Sequence, residues 1–142
     1  MVLERLDDHA AHWDRLVEGS PLPSPFLRSW WLDHAASGTP AIVCCFDGGH
    51  LVGGAAFELH RLGRGRAGLE VVHCLGQGPL APDHLDVVAA ADRAVEVTRT
   101  VLAWLHRPGS RVVDLDGLAA GGTSGERSPA TPSPPPRRRS PR

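Results

Sequence analysis

The stretch AIVCCFDGGHLVGGAAFEL, residues 41–59, decides the fold. A short run of strand-forming residues is followed by a DGGH turn, whose glycines can adopt positive φ, and by a second extended segment, so the pattern predicts a β-hairpin. Gly53 and Gly54 weaken pairing in the second strand and indicate a bulge or the close approach of another backbone or a ligand. Cys44 and Cys45 are adjacent on the first strand and are predicted to point to opposite faces as small packed side chains.

Two helices are predicted before the hairpin. The first is capped by Asp7 or Asp8 and ends near Glu18. The second spans about 25–36, because Ser24 is a natural N-cap and is followed by a proline that suits the first helical position. The residues expected on the inner face of this second helix are Phe26, Leu27, Trp30, Trp31 and His34.

Two more strands, a helix and a last strand are predicted after the hairpin. LEVVHCL (69–75) has the pattern of a strand, and DHLDVVAA (83–90) fits a strand or the first turns of a helix; we take it as a strand. Asp92 is expected to cap a helix of about fifteen residues with Ala94, Thr98, Val101 and Leu105 on one face. RVVDLDGL (111–118) follows as a strand. The predicted fold class is α/β (α+β), in the order α-α-β-β-β-β-α-β.

Length and composition set the domain organisation. The chain has 142 residues, of which 42% are apolar and 22% charged, so there is room for one domain, residues 1–118. Residues 119–142 are rich in Pro, Arg and Ser and hold almost nothing apolar, so we expect a disordered tail. A frameshift in a GC-rich gene would leave this composition, and a genuine disordered linker is the alternative.

Charge and hydropathy exclude several function classes. No apolar run approaches the roughly 18–20 residues that cross a bilayer, so we expect a cytoplasmic protein without a membrane partner. The residues up to Gly122 hold 10 Arg and 15 acidic residues, which argues against specific nucleic-acid binding. Three cysteines without a CxxC pair predict neither a disulfide framework nor a metal site.

Four segments carry a family resemblance: SPFLRSWWLDHA, the hairpin, VVHCLGQGPLAPDHLDVV and WLHRPGSRVVDLDGL. Their order resembles the N-terminal part of the GNAT acyltransferase superfamily, in the branch of FemAB-like and CelD-type proteins, over about residues 10–118. The resemblance implies a mixed, strongly twisted sheet with helices on both sides. It also implies transfer of an acyl group from acetyl-CoA or another acyl thioester, bound where two central strands splay apart, to an amine, amino-sugar or peptide substrate.

The chain departs from the GNAT pattern in two places. The strand-to-helix junction VVAAADRAV lacks the glycines of a pyrophosphate loop and places Asp92 where an anion would lie. The family continues beyond DLDGL with elements that complete the acyl-CoA cleft. FemAB-like proteins hold two GNAT-like units in tandem, with the cofactor-binding features largely in the second, and this chain resembles the first. We therefore expect self-association or a second GNAT-like unit as partner; the rival hypothesis is a catalytically silent α/β domain that binds a partner.

The candidate catalytic residues are His84 and Asp86. Two residues apart on a strand, they would face the same side, next to the loop that holds Gly76 and Gly78. An imidazole beside a carboxylate can take a proton from an attacking amine, which is the general-base step of acyl transfer to nitrogen. The alternative is that both side chains are solvated on the exposed face of a half-buried strand.

The candidate substrate-binding residues are Gly76, Gly78 and Asp114. The backbone of the two glycines could approach a substrate, and Asp114 shares a strand face with Asp116, an arrangement that could suit a cation or an amine. The alternative is that Asp116 orders a turn at Gly117 while Asp114 is solvated.

Overall fold

The computed structural model describes residues 1–63, 68–77 and 86–116. The architecture is α+β, a mixed sheet with helices on both faces. The predicted tail, His84 and Gly78 lie outside the described residues.

The strands are β1 (Val2–Leu3), β2 (Thr39–Asp47), β3 (His50–Leu62), β4 (Leu69–Cys74), β5 (Val88–Ala89) and β6 (Arg111–Val113). The helices are α1 (Ala10–Glu18), α2 (Ser29–Ala35) and α3 (Ala94–Leu105), and two short 3₁₀ helices, Asp7–His9 and Pro25–Leu27, precede α1 and α2. The strand order is β1-β2-β3-β4-β6, and β5 pairs with β3 further along the edge that β4 occupies. Of the described pairs, only β4 with β6 is parallel.

The predicted hairpin is confirmed as β2 and β3. Its turn holds Gly48 and Gly49, both at positive φ, and the register shifts between Cys45 and Phe46. The close approach expected at the paired glycines is also present, because the backbones of β2 and β5 lie against Gly54 and Gly53. A side chain at either glycine would therefore collide with a neighbouring strand.

Two cores lie on opposite faces of the sheet, and Cys44 and Cys45 contribute to different ones, as predicted. Helices α1 and α2 cover the first face, where Trp13 is fully buried and donates its indole N–H to the carbonyl of Leu27 (2.7 Å). Helix α3 covers the second face, where Trp104 stacks on Phe57. Burial on both faces explains why the strand segments are apolar runs rather than alternating patterns.

The capping predictions were right at one helix start of three. Ser24 accepts a hydrogen bond from the backbone N–H of Phe26 (3.3 Å), as predicted. Asp7 instead adopts positive φ within a 3₁₀ helix, and α1 begins at Ala10 without a side-chain cap. Asp92 does not cap α3; its carboxylate lies beside a neighbouring guanidinium instead.

The second predicted helix is shorter than expected because Arg28 is extended (φ −71°, ψ 148°) and separates the 3₁₀ helix from α2. The interruption turns Trp30 outward, where it is 57% exposed, and Leu32 takes the buried position. The buried face of α3 differs from the predicted one. Val97 and Trp104 are buried together with Val101 and Leu105, while the Thr98 residue as a whole is only half-buried.

The strands near the candidate site are shorter than predicted. Of the described residues 86–90, only Val88 and Ala89 pair with β3, and the Asp86 carboxylate accepts the backbone N–H of Val87 (2.7 Å) just before the strand. The premise that Asp86 lies on a strand is therefore wrong. β6 ends at Val113, so Asp114 and Asp116 also lie beyond a strand end. The structure also contains a strand that was not predicted, β1, which precedes the first helix.

Candidate functional site

The candidate site lies where β4 and β6 part. Their last contact is the backbone N–H of Asp114, which donates to the carbonyl of Val72 (2.9 Å). Beyond it, Gln77 bridges the separating backbones: its Oε1 accepts from the N–H of Cys74 (3.2 Å) and from the N–H of Asp116 (2.9 Å). One amide side chain therefore fixes the width of the opening. Sequence analysis did not select Gln77, and its only signal was its place between two glycines.

Three aspartates lie around the end of β4. Burial raises the pKa of the Cys74 thiol to about 12, and the negative charges of Asp86, Asp116 and Asp114 contribute to the increase. Asp86, Cys74 and Leu115 line one cavity, and Leu115 lies between Asp114 and Asp116 in the sequence, so the three aspartates lie near the same opening. The structure thus brings together two predicted site residues, Asp86 and Asp114, from segments 28 positions apart in the sequence.

Gly76 lies on the rim of the same opening with φ +82°. A side chain there would contact the indole nitrogen of Trp31 (3.1 Å) and the side chain of Ala35 (3.2 Å). Side chains of helix α2 therefore pack closely against Gly76. The other two predicted residues, His84 and Gly78, lie outside the described residues.

An apolar cavity of about 110 Å³ is lined by Asp86 and by Leu115, the neighbour of Asp114 and Asp116. It reaches both cores, since Leu32 and Leu75 line it from one face of the sheet and Phe57 and Val101 from the other. The remaining lining residues are Leu27, Ala55, Ala56, Cys74, Val87, Thr98, Leu102 and Leu105. The cavity lies between β4 and β5, where no described strand pairs with Ala55 and Ala56 of β3 on this edge and the backbone N–H of Leu75 donates to the carbonyl of Ala56 (3.1 Å).

The cavity wall contains a hydroxyl group that has no hydrogen-bond partner in the described part of the chain. The Oγ1 of Thr98 is buried and makes no hydrogen bond to the described residues. Leaving such a group unsatisfied costs about 1–3 kcal/mol, so a donor or acceptor placed in the cavity would be stabilised there. Close to the opening, the indole N–H of Trp31 is also buried and has no hydrogen-bond partner among the described residues.

A row of polar side chains extends from the opening across the α2 face of the sheet. His73 Nδ1 lies 3.6 Å from Asp114 Oδ2, and its ring contacts that of His60 edge-on (5.2 Å between centroids). His60 Nε2 lies 3.3 Å from Oε1 of Glu58, which is 1% exposed. Sequence analysis missed this row because the three strand residues lie on two strands that only the sheet register brings side by side.

The start of α3 presents ion pairs rather than an anion site. The guanidinium of Arg93 contacts the carboxylates of Asp47, Asp92 and Glu96. A pyrophosphate at this helix start would meet three negative charges around one positive charge. The residues present therefore do not fit the pyrophosphate of an acyl-CoA at this position, in agreement with the absence of a glycine loop from the sequence.

Other site classes find no support in the described part of the chain. Among residues 1–63, 68–77 and 86–116, no group of three or more His, Cys, Asp or Glu side chains is placed to hold a metal ion. Over the same residues, no helix has both the length and the apolar character of a membrane span. Comparison with protein-family models, curated proteins and solved structures returned no match.

The three thiols are free and differ in their surroundings. Burial raises the pKa of Cys44 to about 11 and that of Cys74 to about 12, while Cys45 is only half-buried. The thiolate is the reactive form, so at pH 8 we expect Cys44 and Cys74 to react with iodoacetamide at least about 100-fold more slowly than a free cysteine. Timed alkylation followed by mass spectrometry, with a urea-unfolded control, measures this; alkylation of native Cys74 as fast as Cys45 would contradict it.

Proposed function

We propose that this chain is a GNAT-family, CelD/FemAB-like N-acyltransferase or the first unit of one, and that its described part carries the acceptor side. The reaction moves an acyl group from a thioester such as acetyl-CoA to an amine. The observation that carries the proposal is the opening where the parallel strands β4 and β6 part. The apolar cavity there is lined by Asp86 and by Leu115, the residue between Asp114 and Asp116. Carboxylates attract an ammonium substrate and can accept the proton it loses.

The chemistry assigns roles to the predicted residues. The amine nitrogen forms a bond to the thioester carbonyl carbon, the carbon–sulfur bond breaks, and the nitrogen gives up a proton to a general base. Asp86 or His84 serves as that base, Asp114 attracts the ammonium form, and the backbone at Gly76 and Gly78 borders the substrate. The acceptor is a small-molecule amine, an amino-sugar or a peptide amine.

A second candidate function is a catalytically silent domain that supports another GNAT-like unit or binds a partner. The observation that favours it is the ion-pair cluster of Arg93, which surrounds the one cationic side chain at the start of α3 with three carboxylates and disfavours a pyrophosphate there. The two functions differ in whether this chain binds the acyl donor itself.

Acetyl-CoA binding and transfer distinguish the two functions. We expect the full chain to acetylate members of a primary-amine panel, detected as N-acetyl products by mass spectrometry, and Asp86→Asn to lower the rate by about 10²–10⁴ if Asp86 is the base. The matched control is Asp8→Asn, an exposed residue before α1.

Thermal melting supplies the second readout. Acetyl-CoA at 100 times its dissociation constant adds about 2.7 kcal/mol to stability and raises the melting temperature. No product together with no shift at millimolar acetyl-CoA would overturn the enzyme proposal for this chain and favour the silent domain.

A further inference from the structure

We propose that protonation of His73 breaks a hydrogen-bonded bridge between strand β4 and the segment that follows β6, so that the opening between them responds to pH. This Gln77 bridge consists of the hydrogen bonds that Gln77 Oε1 accepts from the backbone N–H groups of Cys74 and Asp116. The response to pH is a property of the hydrogen bonds themselves. Its use, which is to control access to the opening, rests on the proposed function.

The orientation of the Gln77 amide is fixed by its two backbone partners. The N–H groups of Cys74 (3.2 Å) and Asp116 (2.9 Å) approach the same atom of the amide. That atom must be the oxygen, because the amide nitrogen carries donors only. The NH₂ group is then the part of the amide that lies 3.2 Å from His73 Nδ1.

This orientation fixes the protonation state of His73. An NH₂ group only donates, so Nδ1 of His73 accepts the hydrogen bond and carries no proton while the Gln77 bridge is intact. The proton of the neutral ring therefore lies on Nε2. An imidazolium carries a proton on both nitrogens, so after protonation the Nδ1–H would meet the N–H donors of Gln77 without an acceptor between them.

Rotation of the Gln77 amide does not remove this conflict. With Oε1 turned toward a protonated His73, the NH₂ group would face the backbone N–H groups of Cys74 and Asp116. Both backbone donors would then lose their acceptor, which is unfavourable. The protonated form of His73 and the complete Gln77 bridge therefore exclude one another.

Asp114 offers the protonated ring another partner. Its Oδ2 lies 3.6 Å from His73 Nδ1, just beyond hydrogen-bond length, and a carboxylate accepts a strong hydrogen bond from a charged donor. The backbone N–H of Asp114 is bound to β4, so this residue does not depend on Gln77 for its position. Asp86 and Asp116 lie at the same opening, each with an interaction of its own. Protonation therefore moves Nδ1 of His73 from the amide to the carboxylate of Asp114.

The other titratable groups around His73 lie on β3. The ring of His60 contacts that of His73 edge-on (5.2 Å between centroids) and lies 3.3 Å from the carboxylate of Glu58, the residue opposite His73 in the strand register. Helix α2 brings the side chains of Trp31 and Ala35 to this end of β4, and neither is titratable. A proton on His60 is therefore neutralised by Glu58 and does not compete for the carboxylate that His73 uses.

Amide exchange in the full chain, measured by NMR, tests the inference without any assay of activity. The exchange rates of the Cys74 and Asp116 N–H groups with water, each divided by the rate of an unstructured chain at the same pH, report whether the Gln77 bridge is formed. Histidine ordinarily titrates between about pH 5 and pH 8, so the rates are compared at about pH 5 and about pH 7.5. We expect the protection of both amides to be at least about fivefold lower at the lower pH, because each loses a hydrogen bond.

Nitrogen chemical shifts of the His73 ring give a second readout. We expect the proton of the neutral ring on Nε2 at the higher pH. A proton on Nδ1 at that pH, or equal protection of the two amides at both pH values, would overturn the inference.

Variants assign the response to His73. His73→Asn keeps an acceptor oxygen close to the position of Nδ1 and cannot be protonated, so protection should be the same at both pH values. The matched control His106→Asn, at an exposed position after α3, should respond to pH as the wild type does. Gln77→Ala removes the bridge and should show low protection at both pH values.

A wild-type pH response in His73→Asn would show that another group is responsible and would overturn the inference. If His73→Asn does not fold, wild-type protection in Gln77→Ala serves as the contradicting result. Failure of the inference is distinguishable from failure of the proposed function. A pH-dependent bridge in a chain without acetyl transfer contradicts the enzyme alone, and acetyl transfer by a chain whose bridge does not respond to pH contradicts the inference alone.

Discussion

Gly54→Ala is expected to destabilise the protein by about 3–5 kcal/mol. A Cβ at this position would overlap the carbonyl oxygen of Val43, well inside van der Waals contact, and would lie 3.1 Å from the ring of Trp13. The oxygen belongs to the backbone of β2 and cannot rotate away. Relief therefore requires the central hairpin to separate or Trp13, which is fully buried, to leave its position.

The control for this variant is Gly19→Ala, at the end of α1. Gly19 has an ordinary φ of −82°, and a Cβ there would come no closer than 3.5 Å to the carbonyl of Arg15. Its stability should change by no more than about 0.5 kcal/mol. Urea unfolding of both variants, monitored by tryptophan fluorescence, measures the difference. Equal unfolding midpoints would mean that the sheet accommodates the methyl group and that the close approach has no energetic consequence.

Sequence patterns were sufficient where a local signal decides the structure. The hairpin, the end of α1 at Glu18 and the cap at Ser24 follow from turn residues, glycine and capping chemistry within a few positions. The glycine pair in β3 predicted the close approach of another backbone or a ligand, but it did not indicate which strand approaches.

Tertiary contacts decided the features that the sequence did not predict. The buried face of α3 depends on how the helix lies across β2 and β3. As a result Trp104 lies in the core, and Thr98, which was expected on the inner face, does not. Strand β1 has only two residues and exists because it pairs with Val43 and Ile42. Two residues give no periodicity, so no local pattern could reveal it.

Tertiary contacts also explain why the candidate site was predicted only in part. Asp86 and Asp114 were selected one at a time from neighbouring sequence, and in the structure Asp86 and Leu115, the residue after Asp114, line one cavity. Gln77 and Thr98 were not selected, because their importance arises from the partners that surround them in the fold: two separating strands for Gln77, and none for the hydroxyl of Thr98 among the described residues.

A second large effect is expected at Glu58, which is buried on β3 and anchors the loop between α2 and β2. Its Oε2 accepts the backbone N–H groups of Ser37 (2.6 Å) and Gly38 (3.1 Å), and its Oε1 lies 3.2 Å from the Ser37 hydroxyl and 3.3 Å from His60. Glu58→Ala leaves these donors unsatisfied and is expected to cost about 2–5 kcal/mol. Glu58→Gln keeps an acceptor oxygen and loses only the charge, so it should cost less, about 1–3 kcal/mol.

The pH dependence of the Glu58→Gln variant tests whether the charge is responsible. Burial alone would raise the pKa of Glu58, but the hydrogen bonds from Gly38, Ser37 and His60 lower it by more, and the folded-state pKa lies below the ordinary value of about 4.3. The unfolded chain therefore binds the proton first as the pH falls, so the stabilisation by Glu58 is complete above about pH 5 and decreases as the pH falls toward the folded-state pKa.

The stability difference between wild type and Glu58→Gln, from urea unfolding at several pH values, should be constant from pH 6 to 8 and shrink below about pH 4.5. Glu4→Gln, an exposed site near the N-terminus, controls for the loss of one negative charge. A difference that stays the same down to pH 3.5 would show that Glu58 contributes shape and hydrogen bonding to this loop but not charge.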